Sequence, residues 1–166
     1  MVPFAREGAE DLAGQLCEHF NAEKTVSAEV LRIPFSCQSL EELAEQIFLH
    51  ATLQLPNVDR VIALGFPAYL MAHPVKILWL IQRCRQVDEL RDDVGPNLAA
   101  GSLKGRVLEM IHGVEAKAFS QSRRIFVDSK VSQERIKRFT GFDADVLIPP
   151  RNNPALWPVT IERLLS

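Results

Sequence analysis

Two short stretches, Val61-Ile-Ala-Leu64 and Lys76-Ile-Leu-Trp-Leu-Ile81, are almost continuously apolar, and they constrain the fold more than any other feature of the chain. A strand with one wet face alternates apolar and polar residues, whereas a strand covered on both faces has no polar side to show. Runs this short, rich in branched residues, fit buried strands better than helices. They predict a parallel sheet sandwiched between helices.

The surrounding periodicity supplies the helices. Ala9, Leu12, Ala13, Leu16, Cys17 and Phe20 recur at helical spacing. Ser39 followed by Glu42 forms a capping box ahead of Leu40, Leu43, Ala44, Ile47, Phe48 and Ala51. A third stripe runs through Leu103, Val107, Met110, Ile111, Val114 and Ala118, and a fourth helix over 132–139 is closed by Gly141. Further strands are expected at Glu29–Ile33, stopped by Pro34, at Arg124–Val127 and at Asp145–Ile148. Residues 68–72 allow only a short helix before Pro74, and the polar stretch 86–102 reads as a long excursion. About five strands alternating with helices predict an α/β fold: a doubly wound, Rossmann-like, mostly parallel sheet, whose ligands sit beyond the carboxyl ends of the strands.

At 166 residues, 47% of them hydrophobic and 24% charged, the chain has the size and balance of one domain with a real core. No apolar run approaches the roughly 20 residues that span a bilayer. Met1 to Glu10 lack the basic-then-apolar order of a signal peptide, so a cytoplasmic location is expected. Cys17, Cys37 and Cys84 are widely spaced and form no zinc motif, which predicts reduced thiols and no metal site. The formal net charge of -2 gives no reason to expect nucleic acid. Its distribution is uneven: residues 1–60 hold ten acidic and four basic side chains, residues 104–138 nine basic and four acidic. The basic half, with Arg123, Arg124, Arg135, Lys137 and Arg138, offers peripheral contact with anionic lipid at the inner face of the membrane, against the plainer reading of a solvated helix face.

Six segments at the strand ends resemble, in order and spacing, the N-terminal domain of the group-1 glycosyltransferases, the retaining GT-B enzymes also called family 4. They are Val2–Glu10, Arg32-Ile-Pro-Phe35, Asp59–Tyr69, His73–Trp79, Arg124-Ile-Phe-Val-Asp-Ser129 and Asp145-Val-Leu-Ile-Pro-Pro150. The resemblance implies that residues 1–150 are the acceptor-side half of a GT-B fold with a truncated first strand. Residues 151–166, with Trp157, Ile161, Leu164 and Leu165, are then a linker or tail. It implies a sheet of order 3-2-1-4-5-6, in which the shortened strand is central, so that its loss exposes its neighbours to self-association. The domain would take a carbohydrate or lipid-linked sugar acceptor. It would use a nucleotide-sugar only with a second, donor-binding domain, which could be supplied in trans, and would need no other cofactor.

On that resemblance the acceptor-binding residues are Gln82, Arg83 and Arg85, the donor-facing loop is Gly8, Ala9 and Glu10, and Gly65, Phe66 and Ser129 line the cleft. No catalytic residue is assigned. Two departures bear on activity. Glu7-Gly8 stands where the family has two glycines, and a carboxylate there repels a diphosphate. Gln82 replaces a histidine, so it hydrogen-bonds a sugar but exchanges no proton near neutral pH. Ser129 equally caps the helix after it, Glu10 equally suits a first helical turn, and His73 and His112 are expected to be solvated. Two functions follow: an acceptor-binding glycosyltransferase domain inactive alone, or a non-catalytic glycan- or protein-binding descendant of one.

Overall fold

A computed structural model of the chain describes residues 7–23, 26–82, 102–150 and 153–166. Its centre is one four-stranded, all-parallel sheet in the sequential order β1-β2-β3-β4: β1 Val61–Gly65, β2 Lys76–Gln82, β3 Arg124–Val127 and β4 Asp145–Val146. Among the described strands the order does not reverse, unlike the expected 3-2-1-4-5-6 of a doubly wound sheet, and the expected truncated first strand lies outside the described residues. Helices flank it: α1 Glu7–Ala22, α2 Leu40–Thr52, α3 Leu103–Ser120, α4 Lys130–Thr140 and α5 Trp157–Leu165. Single 3-10 turns occupy Ala68–Leu70 and Pro154–Leu156.

The side chains of β2 alternate between two apolar clusters. Leu78 and Leu80 enter an upper cluster with Leu43 and Ile47 of α2, and with Val107, Leu108, Ile111, Ala118 and Phe119 of α3. Ile77 and Trp79 enter a lower cluster with Leu12, Leu16 and Phe20 of α1, and with Trp157, Ile161 and Leu164 of α5. Burial on both faces is why the strand shows no polar alternation in sequence. Trp79 is fully enclosed and donates its indole N–H to the Leu147 carbonyl at 2.9 Å, satisfying the one polar group it carries into the core.

The chain beyond Pro150 is more than a linker. Its helix α5 closes the lower layer against α1, His19 stacks on Trp157 at 4.2 Å, and Arg60 donates to the Leu164 carbonyl at 2.8 Å. Arg163 reaches the outer edge of β4, donating to the Val146 carbonyl at 3.0 Å, pairing with Asp145 at 3.6 Å and lying over the Phe126 ring.

Several expected boundaries shift for identifiable reasons. Among the described residues Glu29–Ile33 joins no ladder, and Leu31 there is 58% exposed. Branched residues favour an extended backbone, but a strand also needs a neighbour to pair with. In α2 the stripe turns toward His50, which is buried, and leaves Phe48 70% exposed. In α3 it turns toward Glu115, so Met110 and Val114 are only half-buried. The connection from β1 to β2 takes only the ten residues 66–75, below the usual length of a parallel crossover. The short helix expected at 68–72 is a single 3-10 turn, Ala68–Leu70. The expected excursion over 86–101 lies outside the described residues; Ser102 caps α3 by accepting from the Gly105 amide at 3.1 Å.

Candidate functional site

Parallel pairing brings the carboxyl ends of successive strands to one rim of the sheet. Register aligns Leu80 with Val127 and Val127 with Val146. Pairing of β1 with β2 slips after Ala63, so that Gly65 stands opposite Gln82. Gly65, Phe66 and Gln82 therefore meet at the ends of β1 and β2, and Asp128-Ser129 follows directly from β3. Gly65 is buried, and Phe66 is half-buried in an edge-to-face chain of rings from Phe35 through Phe66 to Tyr69.

Ser129 is committed to the backbone. Its hydroxyl accepts from the Ser132 amide at 3.2 Å, which makes it the N-cap of α4, and donates to Asp128 at 3.1 Å; Ser132 donates to the same carboxylate oxygen at 2.6 Å. A capping serine held this way positions the helix, and only its neighbours are left to face a ligand. Gln82 is the last residue of β2; its side chain, and all of Arg83 and Arg85, lie outside the described residues.

Gly8, Ala9 and Glu10 are helical rather than looped. Helix α1 starts at Glu7, so all three fall within its first turn, and Glu10 is exposed. Glu10 and Asp11, both exposed in this turn, complement the positive end of the helix dipole and oppose a phosphate there.

Sequence reasoning missed the buried polar groups beneath the upper cluster. Lys76 opens the β2 apolar run yet has no exposed surface; its ammonium donates to the Tyr69 and Met71 carbonyls, each at 2.9 Å, clamping the short crossover to the strand it feeds. Burial lowers the Lys76 pKa to about 8. The Tyr69 hydroxyl donates to Glu115, 3% exposed inside the α3 stripe. His73 is buried rather than solvated: Nδ1 accepts from the Val75 amide at 3.1 Å and Nε2 donates to the Val58 carbonyl at 3.0 Å. His112 is exposed. A lysine at the head of an apolar run and a glutamate at a stripe position were the available signals.

Elsewhere, a shallow groove of about 410 Å³ is lined by Gln133, Glu134, Lys137, Arg138, Asp143 and Ala144. It lies where α4 returns to the amino end of β4, across the molecule from the rim. The cations of α4 have local company: Lys137 pairs with Asp143 at 2.8 Å, and the Arg135 and Arg138 guanidinium groups lie over the Phe139 ring. Among the described residues no group of three or more histidine, cysteine or acidic side chains could hold a metal ion, and no helix is long and apolar enough to cross a membrane. Cys17 and Cys37 are free thiols, and desolvation followed by the Glu42 charge raises the Cys37 pKa.

Comparison with known protein families, with curated proteins and with solved structures returns no match.

Proposed function

We propose that the chain is a carbohydrate-binding domain of GT-B acceptor type, a Rossmann-like half that holds a sugar acceptor at the carboxyl ends of its strands. The observation that carries this reading is the placement of Gly65 opposite Gln82 at the tips of adjacent parallel strands, with Ser129 following the next strand. Ligands of parallel α/β sheets lie outside the carboxyl ends of the strands; the described strands, in sequential order, have no reversal to open a crevice there, so the reading rests on the tips themselves, where a planar amide suits a sugar hydroxyl because it both donates and accepts along fixed directions. On this reading Gln82, Arg83 and Arg85 contact the acceptor, and Gly65 lets its backbone come close.

A non-catalytic role is favoured over a transferase by the start of α1. Glu10 and Asp11 occupy the helix end that would otherwise meet a diphosphate, and their charge opposes one. Without a donor at that end, the rim would serve glycan recognition alone.

The test is amide chemical-shift mapping of the full chain with neutral mono- and disaccharides, then with uridine diphosphate. Saturable shifts at Gly65, Phe66 and Gln82 that weaken at least about tenfold in Gln82→Ala, a loss of about 1.4 kcal/mol, support acceptor binding. Shifts with uridine diphosphate at Gly8 to Glu10 would restore a donor role. Sugars that perturb only Lys137, Arg138 and Asp143, or nothing, would end the proposal.

A further inference from the structure

The upper layer presents two helix faces of opposite character. Helices α2 and α4 each pack against α3, and Leu43 and Ile47 of α2 and Ile136 of α4 turn toward the upper cluster. In α2 the exposed residues are Glu41, Glu45, Phe48, Leu49 and Thr52. Their spacing of i, i+4, i+7, i+8 and i+11 puts them on one face. Two carboxylates lead it, with no cation among them, and two large apolar side chains follow, Phe48 70% and Leu49 55% exposed. In α4 the exposed residues are Lys130, Val131, Glu134, Lys137 and Arg138, again on one face. Here the apolar residue comes early, Val131 being 71% exposed, and the cations Lys137 and Arg138 lie in the last turn. Among the described residues Glu41, Glu45 and Lys130 form no ion pair. Lys137 pairs with Asp143, an exposed contact that water screens.

We propose that the α2 face of one copy of this chain docks, antiparallel, on the α4 face of a second copy. In that direction Glu41 and Glu45 meet Lys137 and Arg138, while Phe48 and Leu49 meet Val131. The spacing agrees: at 1.5 Å per residue the charged and apolar centres stand about 8 Å apart along α2 and about 10 Å apart along α4. Parallel docking would set Glu45 near Glu134 and the two large apolar side chains against Lys137 and Arg138, losing both matches.

The partner is a second copy because the chain displays both halves of the contact. The α2 face carries two negative charges and no positive one, the α4 face three positive and one negative, so unlike faces attract and like faces repel. The two faces differ, which makes the contact heterologous and leaves each copy with one face open to a further copy. Two helices of about three turns bury less than the roughly 800 Å² that each partner contributes to a stable complex. The association is therefore weak and, resting on surface charge, falls as salt screens it.

The experiment measures molar mass by sedimentation up to about 1 mM chain, a concentration that detects even millimolar affinity, at low and high salt. Mass should rise with concentration at low salt and fall back at high salt. Glu45→Lys and Arg138→Glu, both at exposed positions, should each weaken association at least about tenfold, and an equimolar mixture of the two variants should restore it, because the reversed charges attract again. On the unmodified chain, concentration-dependent amide shifts should fall on residues 41–52 and 130–138. A chain monomeric at about 1 mM in low salt overturns the proposal. So does association that ignores either substitution, association that the mixture does not restore, or shifts centred elsewhere. A chain that stays monomeric and binds vesicles of anionic lipid through α4 also overturns it and gives that face to lipid. If either variant does not fold, the salt dependence and the shifts of the unmodified chain decide alone.

Discussion

Lys76 shows how a single residue can govern a connection. Ten residues are few for a parallel crossover, and the lysine ties two of their carbonyls to the strand they enter. An ammonium with no exposed surface is costly, and its pKa, lowered to about 8, measures that cost. The folded state holds this proton less tightly than the unfolded chain, where the value is 10.5. Stability should therefore rise as the pH climbs from about 8 toward 10.5, by at most about 3 kcal/mol. Denaturant unfolding at a series of pH values should show that rise, and Lys76→Met should lose it. The sequence showed the lysine as the polar head of an apolar strand. Its burial was not legible, because it depends on carbonyls contributed by the crossover.

At the scale of elements, local chemistry was read well and pairing was not. Ser39 accepts from the Glu42 amide at 3.1 Å, as a capping box requires. The Glu42 carboxylate reaches one residue further back than expected, accepting from the Gln38 amide at 2.6 Å and from the Ser36 hydroxyl. These bonds, the serine's first, lower the Glu42 pKa; the stability they bring is present above the ordinary carboxylate range and is lost as the pH falls through the lowered value. Ser39→Ala should cost about 1 kcal/mol in unfolding free energy. A loss well below that would mean Glu42 alone holds the end of α2. The bounds of β3 and the left-handed stop of α4 at Gly141, with φ of 77°, were likewise legible, because a helix stop is written in the residues that make it. Glu29–Ile33 was not, since a strand exists only by virtue of its neighbour. The places of Gly65 and Gln82 at the ends of β1 and β2 followed from the strand bounds, and Ser129 takes the capping role that was its stated alternative.

For the molecule as a whole, the last helix is structural. Both tryptophans are buried, Trp79 in the sheet and Trp157 at the head of α5, on the same lower cluster. Trp157→Ala should destabilise the fold by about 3–5 kcal/mol, and removing residues 151–166 should uncover the lower face and leave the chain prone to aggregate. Both effects are measurable by denaturant unfolding and by the red shift of tryptophan emission. Sequence patterning supplied the apolar stripe of α5 but not its destination, because amphipathicity states that a face will be covered without stating by what.

The bond from Arg60 to the Leu164 carbonyl fixes where the path of the chain comes out. Leu164 is held beneath the sheet beside the residue that leads into β1, so any polypeptide joined after Ser166 departs from there, on the far side from Gly65 and Gln82. β2 alone is about 23 Å long at the usual rise per residue. A module fused at that end would need a tether longer than that distance to close over the strand tips, whereas a free-standing module could approach them directly.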